Sequence, residues 1–566
     1  VRLKNTLYVL KYPIIRPIKF YLSYSIQAAL FWLHLFVKVS PSGVQIMQFQ
    51  RSIGLYGLLF TGIGSVIGSG WLFGPLYAAQ LAGPAAIVSW LLGGFLMMII
   101  ALTFAELGSA FPVAGGMVQY AQYSHGPLVS FMTGWMVWIS SVAVAPVETL
   151  GILQYAANYI PGLVVIVDNV HVLTTIGIFV AAGVMLLMCI LNYYGAKFFS
   201  QVNSAITIIK LIVPIATFLI LITIDFHTQN FNSEALGGFA PYGWHGILAA
   251  LPLGGVIYSF IGSNTILQLA GETKNPQRNI PLALIGSIIF CMILYICLQV
   301  AFIGALTPET LSESWNKLHY VGDSGPFAGI LSALGLAWFV IIIYGDALIS
   351  PFGTGFIYTA STARVTYGLS RIGFFPKAFE ALTKKGVPGR SIAINYLVGL
   401  LLFLPFPGWQ SMVGFIISCF IVSYIIGPIA LVGLRKTHPD HPRPFRLPYV
   451  NYFAFIAFYI CNLLIFWTGW ATVFKMMIAL AVGFLFFILY CYREKNDLWL
   501  KQIKTSWWIF PYLIGLTLVS YLGTFGGGTQ FISFGIDFLV LAILSGIIFY
   551  IAFKVRQPEG STNVFN

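Results

Sequence analysis

Charge is the first thing this sequence lacks. Only 8% of its 566 residues are Asp, Glu, Lys or Arg, against 58% hydrophobic. A water-soluble protein of this length needs charge over its whole surface, so a soluble enzyme or scaffold is excluded. Histidine is also scarce, with 8 in the chain and almost none in its apolar stretches. This argues against a membrane-embedded enzyme, which would set Ser/His or paired Asp groups on facing helices. No GxxxxGK[ST] phosphate loop occurs, which argues against ATP-driven pumping by this chain. Rings of charge and repeated filter motifs are missing too, which disfavours a channel. The six cysteines, Cys189, Cys291, Cys297, Cys419, Cys461 and Cys491, lack paired spacing. They read as buried free thiols, with neither disulfides nor zinc implied. His438 and His441 sit in a Pro-rich loop without Cys or acidic companions. No metal and no cofactor is expected.

What the chain has is apolar runs near 20 residues, each long enough as a helix to cross about 30 Å of hydrocarbon. Backbone in lipid must satisfy its own hydrogen bonds, so these runs must be helices. We place spans at 54–80, 84–108, 128–158, 172–192, 201–224, 246–271, 281–306, 327–362, 391–407, 410–434, 449–470, 472–492, 507–523 and 533–553. With the first segment inside, 26 of the 29 Lys and Arg residues fall on the cytoplasmic side. That asymmetry is the positive-inside rule, and it predicts a multi-pass cell-membrane protein with both termini in the cytoplasm. The net charge of +13 therefore reports topology; the lipid bilayer is implied as a partner and nucleic acid is not. Residues 20–37 imitate a span, yet Lys19 and Lys38 bracket a short, mixed stretch. That stretch reads as an interfacial helix, a signal-like segment or translated upstream sequence; the last is favoured, with the working start at Met47. The resulting division is an extension at 1–50, a transport core at 51–435, additional spans at 436–556 and a tail at 557–566.

Helix breakers are placed unevenly. Gly62 to Gly70 holds four glycines in nine residues. Each costs roughly 1 kcal/mol against Ala inside a helix, so span 1 should unwind there. Five spans later, Ser259-Phe-Ile-Gly-Ser-Asn-Thr265 is a second small and polar interruption, and Ile-Gly-Ser recurs at 67–69 and 261–263. Small residues can simply let helices pack closely. Two breaks at matching positions point instead to an inverted repeat, spans 1–5 against spans 6–10. The fold class is then an all-α polytopic membrane protein, a 5+5 core with about four additional C-terminal helices.

An unwound stretch at mid-membrane frees N–H and C=O groups that must meet protein or ligand. The half-helix after the break in span 1 offers free amides and partial positive charge to a carboxylate. Ser69 and Gly70 would supply the amides, with Gly68 and Gly70 permitting close approach. Carbonyls freed on span 6 would accept from an α-ammonium, so a zwitterion fits.

Four stretches resemble the amino acid–polyamine–organocation (APC) permeases: Ile63–Trp71, Ala105–Gly116, Gly271–Pro281 and Ser361–Pro376. They occur in the same order as in that family and cover about residues 50–450. The resemblance implies the LeuT-type fold, alternating access and an amino acid or related amine as substrate. It places the carboxylate amides on Ser69 and Gly70, a closing aromatic on Tyr258, and Ile261 and Gly262 on the ammonium side. Asn264 stands where many relatives carry a gating Glu, which puts a proton role there in doubt. The Gly68–Phe73 wording together with Glu148 resembles an aspartate–proton symporter-like bacterial branch, without fixing the substrate.

Charges inside spans are costly unless paired or functional. Lys210 lies about ten residues into span 5, roughly 15 Å deep by helical rise. In similar permeases this Lys takes the place of a coupling cation beside the broken first helix, which makes protons the implied coupling ion; a structural ion pair is the alternative. Asp346, Ser350 and Thr354 share one stripe of span 8, since four-residue steps drift only about 40°. Asp346 would neutralise Lys210, carry the proton, or simply join a packed polar network. Glu148 in span 3 would read a substrate side chain or take a proton. Glu106 reads as a packing and loop-ordering element. Most aromatics are expected to face lipid, with Tyr258 and Phe260 the exceptions. The reading is proton-coupled amino acid uptake, with amino acid or amine exchange on the same fold as the alternative.

Overall fold

The computed structural model describes residues 51 and 53–558 except 114–115, 168–169, 195, 308–309, 312–313, 319–324, 384, 407 and 494–503. The expectations for residues 1–50 and for the tail beyond 558 lie outside the described residues.

Among the described residues eleven helices are long and apolar enough to cross a membrane, or twelve with the bent pair of span 6. Separating the broken span 1 from span 2 and adding the shorter apolar helix Gly389–Leu402 gives the fourteen-span numbering used below. Span 1 is two half-helices, 1a (Leu55–Val66) and 1b (Gly70–Ala82). Spans 2 to 5 are Ala86–Ala110, Pro127–Ala156, Thr175–Tyr193 and Ala196–Ile224. Span 6 is split into 6a (Gly243–Leu253) and 6b (Tyr258–Gln268), bent by 51°. Spans 7 to 10 are Pro276–Gly304, Ala337–Arg371, Gly389–Leu402 and Trp409–Thr437. Spans 11 to 14 are Val450–Trp467, Trp470–Arg493, Lys504–Leu522 and Ile536–Lys554. The strands β1 (Val164–Val167) and β2 (Val170–Leu173) form a hairpin between spans 3 and 4.

Local chemistry sets several of these ends. Pro127 and Pro276 open spans 3 and 7, where a missing N–H costs nothing. Thr174 caps span 4, its hydroxyl accepting the Gly177 N–H at 3.0 Å. Spans 3 and 10 are buried along their whole apolar length and form the centre of the bundle. Ile176, Phe179, Ile212, Leu485 and Ile543 are exposed apolar side chains on peripheral spans, as a lipid-facing surface requires. Spans 2 and 7, and spans 3 and 8, pack against each other, and 1 meets 6 at the breaks. Those are the partners that an inverted 5+5 repeat relates.

Two boundaries and the placement of the aromatics differ from the sequence reading. The apolar run 327–362 is two elements: a short helix Pro326–Ala333, then span 8 from Ala337. Gly335, at φ +72°, makes the turn between them. In span 6 the main break is Gly254–Ile257, about a turn before the expected Ser259–Thr265. Pro252 precedes it and Gly255 adopts φ +76°, so the helix must end there. Finally, many large aromatics face inward: Trp71, Trp90, Tyr155, Tyr295 and Tyr358 are at most 2% exposed.

The Lys- and Arg-rich loops follow even-numbered spans, so spans that cross alternately set them at one end of the bundle, hereafter the basic end. There Glu106 of span 2 is fully buried and accepts from Arg435 Nε at 2.7 Å and Nη2 at 2.5 Å. It also accepts the Leu447 N–H at 2.8 Å. One carboxylate thus joins spans 2 and 10 to the loop before span 11.

Candidate functional site: the paired helix breaks

Helix 1a stops at Val66 because Ile67 turns extended (φ −80°, ψ 98°), and 1b restarts at Gly70. The two ends face opposite charges. At the 1a end, the Lys210 ammonium donates to the Gly64 carbonyl at 2.8 Å and to Thr354 Oγ1 at 2.6 Å. Thr354 donates onward to the Ile67 carbonyl at 3.1 Å. At the 1b end, the Ser69 N–H donates to Glu148 Oε2 at 2.7 Å. The negative pole of one half-helix therefore meets an ammonium, and the positive pole of the other meets a carboxylate.

The second oxygen of Glu148 accepts the Tyr258 hydroxyl at 2.6 Å. Tyr258 sits edge-on to Trp409, ring centroids 5.9 Å apart, and Trp409 also packs on Phe73 and Tyr77. The indole N–H of Trp409 donates to Ser69 Oγ at 2.8 Å. These rings seal the break on the side away from the basic end. Gly68 has a specific reason to be glycine: a Cβ there would come within 2.6 Å of Glu148 Oε1 and 2.9 Å of Thr354 Oγ1. On the other side, a cavity of about 260 Å³ opens near the basic end, with Leu267, Gln268, Ser361 and Arg364 in its wall.

Asp346 is 1% exposed, and neither carboxylate oxygen has a hydrogen-bond partner. It makes no ion pair with Lys210 within 4.0 Å, although each lies in the other's field. The Trp71 indole N–H is directed at it, just outside the geometry of a formed hydrogen bond. Ser350 is buried one turn on, its hydroxyl likewise unpartnered. An unpaired carboxylate away from water is expensive, so this one is held in place by its surroundings and not by any bond of its own.

The residues singled out in the sequence mostly converge. Gly68, Ser69, Gly70, Glu148, Lys210, Tyr258 and Thr354 surround one break, and Asp346 and Ser350 flank it. Ile261 and Gly262 are placed differently. The Gly262 carbonyl accepts from Ser65 and Thr265, both at 2.9 Å, and the Ile261 carbonyl accepts from Tyr424 at 3.3 Å. Both lone pairs of the Gly262 carbonyl are thus taken in this state, while the Ile261 carbonyl is engaged by one long bond. Gly262 lies against the backbone of Ser65, so its missing side chain serves close packing of 6b on 1a. Asn264 Oδ1 accepts the Tyr358 hydroxyl at 3.3 Å. Phe260 is core, packed on Trp90 and Tyr295. Sequence reasoning missed Trp409, one of 14 tryptophans with no spacing to mark it.

In the Pro-rich loop, His441 Nε2 meets the Ala110 carbonyl at 2.8 Å and the ring stacks on Phe111, while His438 Nδ1 meets the Thr437 hydroxyl at 2.9 Å. Among the described residues, no three His, Cys, Asp or Glu side chains gather into a metal-sized group. The six cysteines are free.

Two half-helix breaks side by side, carrying charge at mid-span, define a secondary transporter of the broken-helix class. The chain belongs to the amino acid permease family, whose profile matches residues 53–487. It is 38% identical over 513 residues to the glutamate/serine transporter AimA of Bacillus subtilis (strain 168), covering 89% of this chain and 93% of that one. It is 36% identical over 517 residues to the aspartate-proton symporter of the same organism, covering 91% and 98%. The branched-chain amino acid permease BcaP of that organism is 25% identical over 465 residues, covering 79% and 94%. The chain is therefore a multi-pass membrane permease for amino acids and not an enzyme.

Proposed function

We propose that this permease takes up amino acids by proton symport, with acidic and small hydroxyl amino acids the first substrates to test. The observation that carries the reading is Lys210. Its ammonium is held by the carbonyl of Gly64 and, through Thr354, by that of Ile67. Those are oxygens that a metal cation would need, so a fixed positive charge already fills the place of a coupling ion. Asp346, buried beside it without a hydrogen bond, is the proton carrier in this reading, and Glu148 acts at the carboxylate seat. The names of two relatives above 35% identity, a glutamate/serine transporter and an aspartate-proton symporter, support the substrate class and the ion. The Lys and Arg distribution supports a topology with the basic end and both termini in the cytoplasm. Net uptake is then inward, past the aromatic seal and out through the basic-end cavity.

The test is uptake of labelled aspartate, glutamate and serine into proteoliposomes holding the purified chain. An inwardly directed proton gradient should drive accumulation, and a sodium gradient should not. Uptake that ignores the proton gradient and requires amino acid inside the vesicle would make the protein an exchanger.

A further inference from the structure

We infer that Glu148 is a tethered stand-in for the substrate's carboxylate, which occupies the seat at the break when no amino acid is bound and so lets the empty carrier close. The inference rests on the amino acid reading above and adds a role for this side chain. A carboxylate placed to hold a substrate ammonium would lie beside carbonyls. Glu148 lies on the donor side instead, with one oxygen on the Ser69 N–H and the other on the Tyr258 hydroxyl. Those are the first free amide of half-helix 1b and the aromatic of 6b, the pair that an α-carboxylate would bridge. Its carboxyl group reaches them only because residue 68 has no side chain.

The consequence concerns the return half of the cycle. A carrier that closes empty must bury the Ser69 amide, and a buried donor without a partner costs the full desolvation of that group. If nothing satisfied that amide, closure would await a new substrate and the protein could only exchange. Glu148 supplies the missing acceptor and anchors Tyr258 in the same act. Arriving substrate takes the Ser69 N–H for its own carboxylate, and Glu148 must swing away. The tether therefore competes with substrate, and the apparent affinity is reduced by the fraction of carriers whose seat is already filled.

The experiment uses the full-length chain in proteoliposomes with labelled serine, aspartate and glutamate, comparing Glu148→Ala and Glu148→Asp with wild type. Ala removes the acceptor; Asp keeps the charge but is shorter by one carbon–carbon bond, about 1.5 Å. Both variants should bind amino acid about fivefold or more tightly, because the seat is vacated. Both should lose about tenfold or more of net uptake into substrate-free vesicles relative to exchange into loaded ones. Weaker binding in both variants would make Glu148 a substrate ligand and overturn the inference. So would a parallel loss of uptake and exchange, or a Glu148→Asp protein that behaves as wild type. If the variants do not fold, the wild-type structure with bound amino acid decides. The ligand carboxylate should sit on the Ser69 N–H with Glu148 displaced; Glu148 still bonded to Ser69 overturns it. A wild-type protein that binds none of these amino acids defeats both this inference and the function proposed above, which separates that failure from the others.

Discussion

Two buried acidic centres in this bundle are built on different plans. At the basic end, Glu106 makes three short hydrogen bonds, two of them to Arg435, and each of its oxygens has a partner. At mid-span, three charges, Glu148, Lys210 and Asp346, share only four hydrogen bonds, and no pair among them is in direct ionic contact. Glu148 spends its oxygens on a backbone amide and a tyrosine, Lys210 spends its protons on a carbonyl and a threonine, and Asp346 has no hydrogen bond. Glu106 is saturated by groups on fixed elements, so it has nothing to gain by moving. The mid-span charges are held by partners that a ligand or proton could replace. Incomplete satisfaction, in a place where it costs most, separates the working charges from the structural one.

That contrast can be tested from both sides. Breaking the basic-end knot should have the largest effect on folding: Arg435→Ala leaves Glu106 buried and unpaired, at a cost of about 3–5 kcal/mol. Thermal unfolding in detergent should show it, while the amino acid affinity of the protein that folds stays the same. A change in affinity without a loss of stability would erase the distinction. Lys210→Met should act the other way, reducing proton-driven accumulation roughly 100-fold because the site of coupling is gone. Accumulation at wild-type level would remove Lys210 from the mechanism. Asp346→Asn should leave stability equal or higher, since a neutral amide is cheaper to bury than an unpaired carboxylate. Proteoliposome uptake by that variant should keep exchange and lose the response to the proton gradient, and a retained response would remove Asp346 as the carrier. Trp409→Phe should be the mildest, deleting one hydrogen bond to Ser69 while keeping the aromatic seal. About 0.5–1.5 kcal/mol, or a few-fold in affinity by binding titration, is expected. A much larger loss would mean that the indole itself touches substrate.

Much of the fold was legible because membrane helices announce themselves by length and apolarity. The glycines of Gly62–Gly70 marked the first break correctly, since poor helix formers in an otherwise helical run leave few other readings. The second break was misplaced by about a turn. Gly262-Ser263-Asn264 looks like an unwound segment by composition, yet its small residues serve contact with Ser65, and the real break is at Gly254–Ile257. Pro252, Gly254 and Gly255 carried that signal. The helix Pro326–Ala333 merged into span 8 because both are apolar and the turn at Gly335 is a single residue's work. Of the site, Lys210 and the span 8 stripe could be placed from helical depth and spacing together with the family resemblance. The partners of Glu148 could not. Which amide a carboxylate reaches depends on how three helices pack, and periodicity along one chain does not contain that distance.

The two final spans have a mechanical consequence. His125, just before span 3, meets the Ala552 carbonyl of span 14 at 3.0 Å, and its own carbonyl accepts from Thr505 of span 13 at 3.0 Å. The Gln557 N–H, past the end of span 14, donates to the Ser124 carbonyl at 2.8 Å. Spans 13 and 14 are thus riveted to the root of span 3, the helix that carries Glu148. We expect them to act as a stator: while the broken helices rock, the segment 124–130 should stay still. Its amides should be among the slowest to exchange with deuterium, and cutting the chain after span 12 should loosen them first.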